Sequence, residues 1–354
     1  MLRSLRFSCL PEQGPTSGGT PQKGLLALPR RRGYPAAALI RPPPLRSGDT
    51  VRVIAPSGPV DPDGLERGLR VLREEFGLLV RVRPDVTARR GYLAGDDGRR
   101  LEEWREAASD REARALFCAR GGYGAMRLLP KLEAGRLLHP PKWVIGFSDV
   151  TVLHAALNRA GLVTLHGPLL TTLAATSPRA REHLRALLFG GSEASSSSPH
   201  TPRPGTGCVG RAVIRPGRAS GTLFGGSLTL LAHLCGTPYM PSLAGAVLFL
   251  EDVGEKPYRL DRYLTQLRLA GALDGVRGVC VGHLTDCDDG AESGAQVVRE
   301  LVHALGVPAI EGLPVGHSDE NYALPLGSVV AVVAPAPGEE GPPRLLFEQG
   351  APAS

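Results

Sequence analysis

From residue 50 onward the chain alternates short apolar runs with amphipathic ones, and this alternation limits the fold more than any other feature. Thr50-Val-Arg-Val-Ile-Ala55 reads as a strand that ends at Pro56-Ser-Gly-Pro59. Leu65, Leu69, Leu72 and Phe76 then recur three or four residues apart, the spacing of one helix face, and Gly77 stops the run. Leu78 to Val82 reads as the next strand. Arg99 to Ala108 reads as a helix with Leu101, Trp104 and Ala108 inward. Ala115 to Arg120 is a strand entering Gly121-Gly-Tyr-Gly124. A short helix from Ala125 to Leu129 meets Pro130, and Lys142 to Phe147 is a further strand, followed by a turn at Ser148 and a helix to about Ala160. Strands separated by helices cannot pair as hairpins, so the pattern predicts a parallel sheet covered by helices.

The composition changes between Gly190 and Gly207, where Ser, Pro and Gly dominate without periodicity. A linker there divides the chain. The second half predicts a strand from Val209 to Ile214 and a glycine turn, Gly221 to Gly226, opening a helix at Ser227. Next come a strand Ala246 to Leu250, a helix Tyr258 to Ala270, a strand Val276 to Gly282, a helix Ala295 to Leu305 and short strands to the end. The expected class is α/β, with a Rossmann-like N-terminal parallel-sheet domain (48–189), a linker (190–208) and a C-terminal mixed α/β domain rich in strands (209–350).

Composition removes several function classes. The formal net charge is +6, but residues 1–48 hold eight basic residues and one acid, which leaves 33 basic and 34 acidic residues elsewhere. The remainder is neutral, so no basic footprint for nucleic acid is expected on a folded face. Residues 1–47 read as a disordered or extended basic tail, and their composition also suits an organelle transit peptide. No uncharged apolar stretch of about 18 residues predicts a membrane helix. With no secretion signal, the six scattered cysteines read as cytoplasmic thiols. Cys280, His283, Asp286 and Cys287 are suitable metal ligands, but a second ligand pair at finger spacing is missing, and the segment reads as a strand end and loop. No metal or cofactor is expected. The glycines at 122 and 124 lack the third glycine of a dinucleotide fingerprint, and no phosphate loop of the G-x-x-x-x-G-K-[ST] type occurs.

Three polar residues sit where an apolar run gives way to a turn, the place where α/β proteins gather their chemistry. Ser148, in Gly146-Phe-Ser-Asp-Val150, has the strand–turn–helix setting of a nucleophile elbow, though Val150 replaces its second glycine. A helix N-cap is the competing role. Glu251 follows a strand and can orient an imidazole or pair with an arginine. His317 lies in a loop after Gly316 and can serve as a general base or be merely solvated, with His154, His166, His233 and His283 as rivals. The glycine stretch Gly121 to Gly124 can turn backbone N–H groups toward an anion.

Taken together, Arg120-Gly-Gly-Tyr-Gly124, Gly146-Phe-Ser-Asp149, His166-Gly-Pro168, Leu250-Glu-Asp-Val-Gly-Glu255 with Pro257-Tyr-Arg259, and Pro314-Val-Gly-His317 resemble the LD-carboxypeptidases in the order of that family. The resemblance runs from about Leu45 to about Phe347. It implies a metal-independent Ser-His-Glu hydrolase with Ser148 as nucleophile, His317 as base and Glu251 orienting His317, Glu255 being the rival carboxylate. It further implies an oxyanion hole of the Gly122 and Asp149 N–H groups. The implied substrate is a murein tetrapeptide, cleaved between an L-centre and D-alanine, in cytoplasmic peptidoglycan recycling by a homodimer. Arg120, Arg127 and Arg259 are the candidates for the terminal carboxylate. A microcin C self-immunity hydrolase, acting on an acyl-aminonucleotide, is the alternative. The chain departs from the family pattern at Ser227, where Asn is common, and at Ser318, where Gly or Thr is common.

Overall fold

Residues 39–190 and 206–347 are described by a computed structural model. The expectations for 1–38 and for most of the Ser-rich linker, 191–205, lie outside these residues. The first half builds β1 (Thr50–Ile54), α1 (Pro62–Arg70, prolonged by a wider turn at Val71–Glu75), β2 (Leu79–Arg81), α2 (Asp97–Ser109), β3 (Ala113–Cys118), β4 (Trp143–Gly146), α3 (Thr151–Ala160) and β5 (Thr164–His166). The strands lie parallel in the order β2-β1-β3-β4-β5. Local chemistry sets the helix starts: Asp61 and Asp96 accept from Gly64 N (2.7 Å) and Arg99 N (2.8 Å). Gly161, in the left-handed conformation, ends α3. The inward face of α2 is the one its spacing predicts, since Leu101, Trp104 and Ala108 are all buried.

The segment 39–47, expected to be tail, is packed. Ile40 bridges to Leu162, Leu45 is buried, and Trp143 Nε1 donates to the Pro43 carbonyl at 3.0 Å. A Pro-rich stretch has no apolar period to detect, yet one leucine and a few main-chain groups are enough to seat it against the sheet.

The chain continues through α4 (Leu170–Leu173) and α5 (Pro178–Phe189), then β6 (Gly207–Val209), β7 (Ala212–Arg215), β8 (Gly217–Ser227), α6 (Leu228–Leu234), β9 (Ala246–Val253), α7 (Pro257–Leu269), β10 (Gly278–Thr285), α8 (Gly294–Ala304), β11 (Ala309–Glu311), β12 (Leu324–Leu326), β13 (Val329–Ala334) and β14 (Arg344–Phe347). The second sheet has the order β6-β14-β13-β8-β9-β10-β11-β7. Its centre, β8 to β11, is parallel and its flanks are antiparallel. β12 returns to the first sheet and pairs antiparallel with β5.

Two expectations need correction. The strand expected from Val209 to Ile214 is two strands, β6 and β7, at opposite edges of the second sheet, because the chain breaks at Gly210-Arg211. The expected glycine turn at 221–226 is the interior of β8. Glycine serves close approach there: a Cβ on Gly225 would sit 1.9 Å from the Phe249 carbonyl oxygen on β9. Helix α6 still begins where expected, with Ser227 accepting from Leu230 N at its start.

Trp104, Trp143, Phe117 and Phe249 are essentially inaccessible to water, each contributing about 1.5–3 kcal/mol of burial. Two buried histidines add a pH dependence. His183 Nε2 donates to the Ala323 carbonyl at 3.0 Å, joining α5 to the approach of β12. Burial lowers its pKa to about 4, and that of His154 likewise. The fold thus prefers the neutral rings. Their contribution is complete above the ordinary pKa near 6.5 and is lost as pH falls toward 4. We expect wild-type stability, relative to His183→Gln, to fall by about 3 kcal/mol between pH 7 and 4, as measured by urea unfolding at each pH.

Candidate active site

The site begins where β4 stops. Phe147 is extended, and Ser148 then takes φ +63°, a left-handed conformation that an L-residue adopts at a cost of about 1–3 kcal/mol. A single tight turn, Ser148–Val150, feeds α3. The cap role considered for Ser148 is not the one it fills: the residue before α3 is Val150, and no side chain caps either the turn or the helix. The strained turn instead lifts a half-buried serine to the end of the sheet. Neighbouring contacts hold the turn in place. Val150 N donates to Phe147 O at 3.3 Å, and Thr151 Oγ1 accepts from Ser227 N at 3.1 Å, tying α3 to the end of β8.

Beside the turn lies the glycine loop after β3. Gly122 is exposed with φ +98°, and neither its N–H nor that of Asp149 has an acceptor among the described residues. The two segments are joined. The buried Asp149 carboxylate accepts from Ala125 N at 2.8 Å. Burial pushes its pKa above the usual carboxylate range, opposed by that hydrogen bond and by the nearby Arg100 charge. Two free N–H groups on segments locked together can share one developing oxyanion.

A carboxylate–imidazole pair joins the second sheet to the loop between β11 and β12. Glu251 lies in β9, fully buried, opposite Ser227 in the parallel register with β8. Its Oε2 is 2.8 Å from His317 Nδ1. A carboxylate accepts, so Nδ1 carries a proton, and in the neutral ring the lone pair falls on Nε2. Oε1 of Glu251 has no partner among the described residues, so the imidazole is the main compensation for this buried charge. The Phe147 ring, one residue before the serine, lies 4.7 Å from the His317 ring centroid. Ser148 Oγ and His317 are not hydrogen-bonded to each other; catalytic hydrogen bonds often tighten only in the complex with substrate.

The loop that carries His317 is fixed at several points. Thr285 Oγ1 donates to His317 O at 2.7 Å, and Asn321 Oδ1 accepts from Gly316 N at 3.0 Å. Gly316 has φ +121°, and a Cβ there would lie 2.9 Å from Glu251 Oε2. Thr151, Thr285 and Asn321 had no signal in the sequence, since each acts through a partner at least 32 residues away or through a loop without period. Asp252, next to Glu251, accepts from Thr229 N and Oγ1. Burial and the adjacent Glu251 charge raise its pKa to about 6.

The rivals are placed elsewhere. Glu255 sits 3.4 Å from Arg259 Nη1 and 3.5 Å from the Tyr263 hydroxyl. His154 bonds the Gly146 carbonyl, and His166 is buried between Phe147 and Phe249 with both ring nitrogens unpartnered among the described residues. His233 packs on Tyr263, and His283 is half-buried. We expect Gly316→Ala to destabilise the fold by about 1–3 kcal/mol and to separate His317 from Glu251, measured by thermal unfolding and by the loss of the hydrogen-bonded Nδ1 proton signal in NMR.

Family models described as LD-carboxypeptidase N-terminal domain and LD-carboxypeptidase C-terminal domain match residues 51–167 and 220–332. The chain is 37% identical over 289 residues to the murein tetrapeptide carboxypeptidase of Pseudomonas aeruginosa, covering 80% of this chain and 92% of that one. It is 25% identical over 318 residues to the microcin C7 self-immunity protein MccF of Escherichia coli, covering 82% and 92%. The crystal structure of muramoyltetrapeptide carboxypeptidase from Oxalobacter formigenes superposes with a TM-score of 0.73 at 30% identity, covering 85% of this chain and 99% of that one. With both halves matched and the fold shared, the chain belongs to the LD-carboxypeptidase family of serine-type carboxypeptidases.

Proposed function

We propose that this enzyme removes the terminal D-alanine of a murein tetrapeptide, using Ser148, His317 and Glu251 as its triad. The observation that carries the reading is the 2.8 Å bond between His317 Nδ1 and the buried Glu251, beside the left-handed turn at Ser148. The names of the Pseudomonas and Oxalobacter relatives support the substrate.

In this reading Ser148 Oγ attacks the carbonyl carbon of the scissile bond as His317 Nε2 takes its proton. The imidazolium is stabilised by Glu251, whose charge has little water to screen it. The oxyanion is held by the N–H groups of Gly122 and Asp149. Collapse breaks the C–N bond, and Nε2 returns the proton to the departing amine. Water then attacks the acyl-enzyme with His317 again as base, which restores the Ser148 hydroxyl and frees the shortened peptide. No step calls on a metal.

In the same reading the reaction belongs to cytoplasmic peptidoglycan recycling and the enzyme acts as a homodimer. Among the described residues no helix is long and apolar enough to cross a membrane. The second reading, hydrolysis of an acyl-aminonucleotide, is favoured by the likeness to MccF, though the identity there is lower than to the murein enzyme.

Mass spectrometry of a murein tetrapeptide incubated with the protein and EDTA tests the proposal. Wild type is expected to release D-alanine and Ser148→Ala to release none. Release only from an acyl-aminonucleotide would transfer the function to the second reading. We further expect Glu251→Gln to lower kcat by about 10³- to 10⁴-fold with KM little changed, because an amide neither fixes the Nδ1–H tautomer nor stabilises the imidazolium. Steady-state kinetics on the same peptide checks this.

A further inference from the structure

We propose that Arg120 binds the free carboxylate of the substrate's departing residue. This rests on the carboxypeptidase reading above. An exopeptidase must recognise the chain end, and a planar guanidinium matches a carboxylate with two parallel hydrogen bonds.

Of the arginines near the site, Arg100 is buried and committed to the Pro56 carbonyl and to Asp97, and Arg120, Arg127 and Arg259 differ in their surroundings. Arg127 is committed to Asp97 through Nε at 3.0 Å and Nη2 at 2.8 Å. Arg259 sits beside Glu255 at 3.4 Å, with its guanidinium near the Tyr258 ring. Arg120 has no carboxylate within ion-pair distance among the described residues. Its one polar contact among these residues is Nη1 donating to the Pro59 carbonyl at 2.7 Å. That contact orients the guanidinium without neutralising it, and Nε and Nη2 remain available.

Position supports the same choice. Arg120 follows β3, at the carboxyl ends of the parallel strands, where such sheets bind ligands. The next residue, Gly121, forms the wall of the nucleophile: a Cβ there would lie 3.0 Å from Ser148 Cβ and 3.2 Å from Oγ. Gly58, which precedes the Pro59 that holds Arg120, donates to Gly121 O at 2.9 Å. The exposed guanidinium, its carbonyl anchor and the serine wall thus belong to one hydrogen-bonded patch. A departing residue one bond beyond the attacked carbonyl carries its carboxylate only a few ångströms from that carbon, within reach of an arginine on this patch.

The experiment compares a tetrapeptide ending in D-alanine with its C-terminal carboxamide. Binding is measured by calorimetry in Ser148→Ala, and turnover in the Ser148 enzyme, each with Arg120, Arg120→Ala and Arg120→Lys. The assignment predicts that Arg120→Ala weakens binding and kcat/KM for the acid by about 10- to 100-fold. The amide should be almost unaffected, and Arg120→Lys should restore part of the preference. Arg120 is exposed, and unchanged unfolding temperatures would show that the variants fold. An acid-to-amide ratio untouched by Arg120→Ala, in an enzyme that still releases D-alanine, overturns the assignment alone. A folded protein that neither binds nor cleaves either peptide overturns it together with the substrate reading.

Discussion

A fully buried carboxylate is the constraint on which the rest of the site depends. Glu251 loses the solvation of an ionised group, and among the described residues its carboxylate has one hydrogen-bond partner, an imidazole nitrogen. Such a charge is tolerated when a partner is held in place, because breaking a buried pair from one side costs far more than the pair is worth. The surrounding structure therefore serves to hold His317 still. A glycine at 316 makes room for the carboxylate, Asn321 and Thr285 fix the loop, and Phe147 backs the ring. The same burial that makes the pair costly keeps its field strong, which the proposed base would need as it becomes charged in mid-reaction.

The serine belongs to the other sheet, and its strain has a different origin. A left-handed Ser148 persists because the residues on both sides are fixed, Phe147 at the strand end and Thr151 in α3. The contact from Thr151 Oγ1 to Ser227 N links the two halves of the site. It attaches the helix behind the serine to β8, whose neighbour β9 carries Glu251 in register with Ser227. The Asp149 carboxylate adds the glycine loop through Ala125 N. Three segments distant in sequence thus share a frame of a few hydrogen bonds. The return of β12 to the first sheet joins the C-terminal part of the chain to that frame.

Much of this was legible in the sequence where the signal was local. The helix faces of α1 and α2 followed apolar spacing, and α7 and α8 began and ended within a residue or two of expectation. The failures have physical causes. The glycines of β8 read as a turn because glycine signals flexibility in a sequence, whereas here they permit close strand approach. Gly210-Arg211 broke one apparent strand into two because edge pairing with different partners leaves no periodic trace. Leu45 joined the core from a stretch that composition alone assigns to tail.

The sequence by itself determined the α/β class, the parallel core of the first sheet, and the three segments that hold serine, glutamate and histidine. These depend on period, turn residues and short motifs, all of which act over a few neighbours along the chain. Only the tertiary structure placed His317, and none of four other histidines, against the buried Glu251, set Glu255 beside Arg259 instead, and put Ser148 in a left-handed turn rather than at a helix cap. It also separated Arg120 from arginines already matched to carboxylates. Those choices turn on which groups meet in a low-dielectric interior and which are neutralised there. Such meetings are set by sheet order and register, and a linear pattern does not carry them.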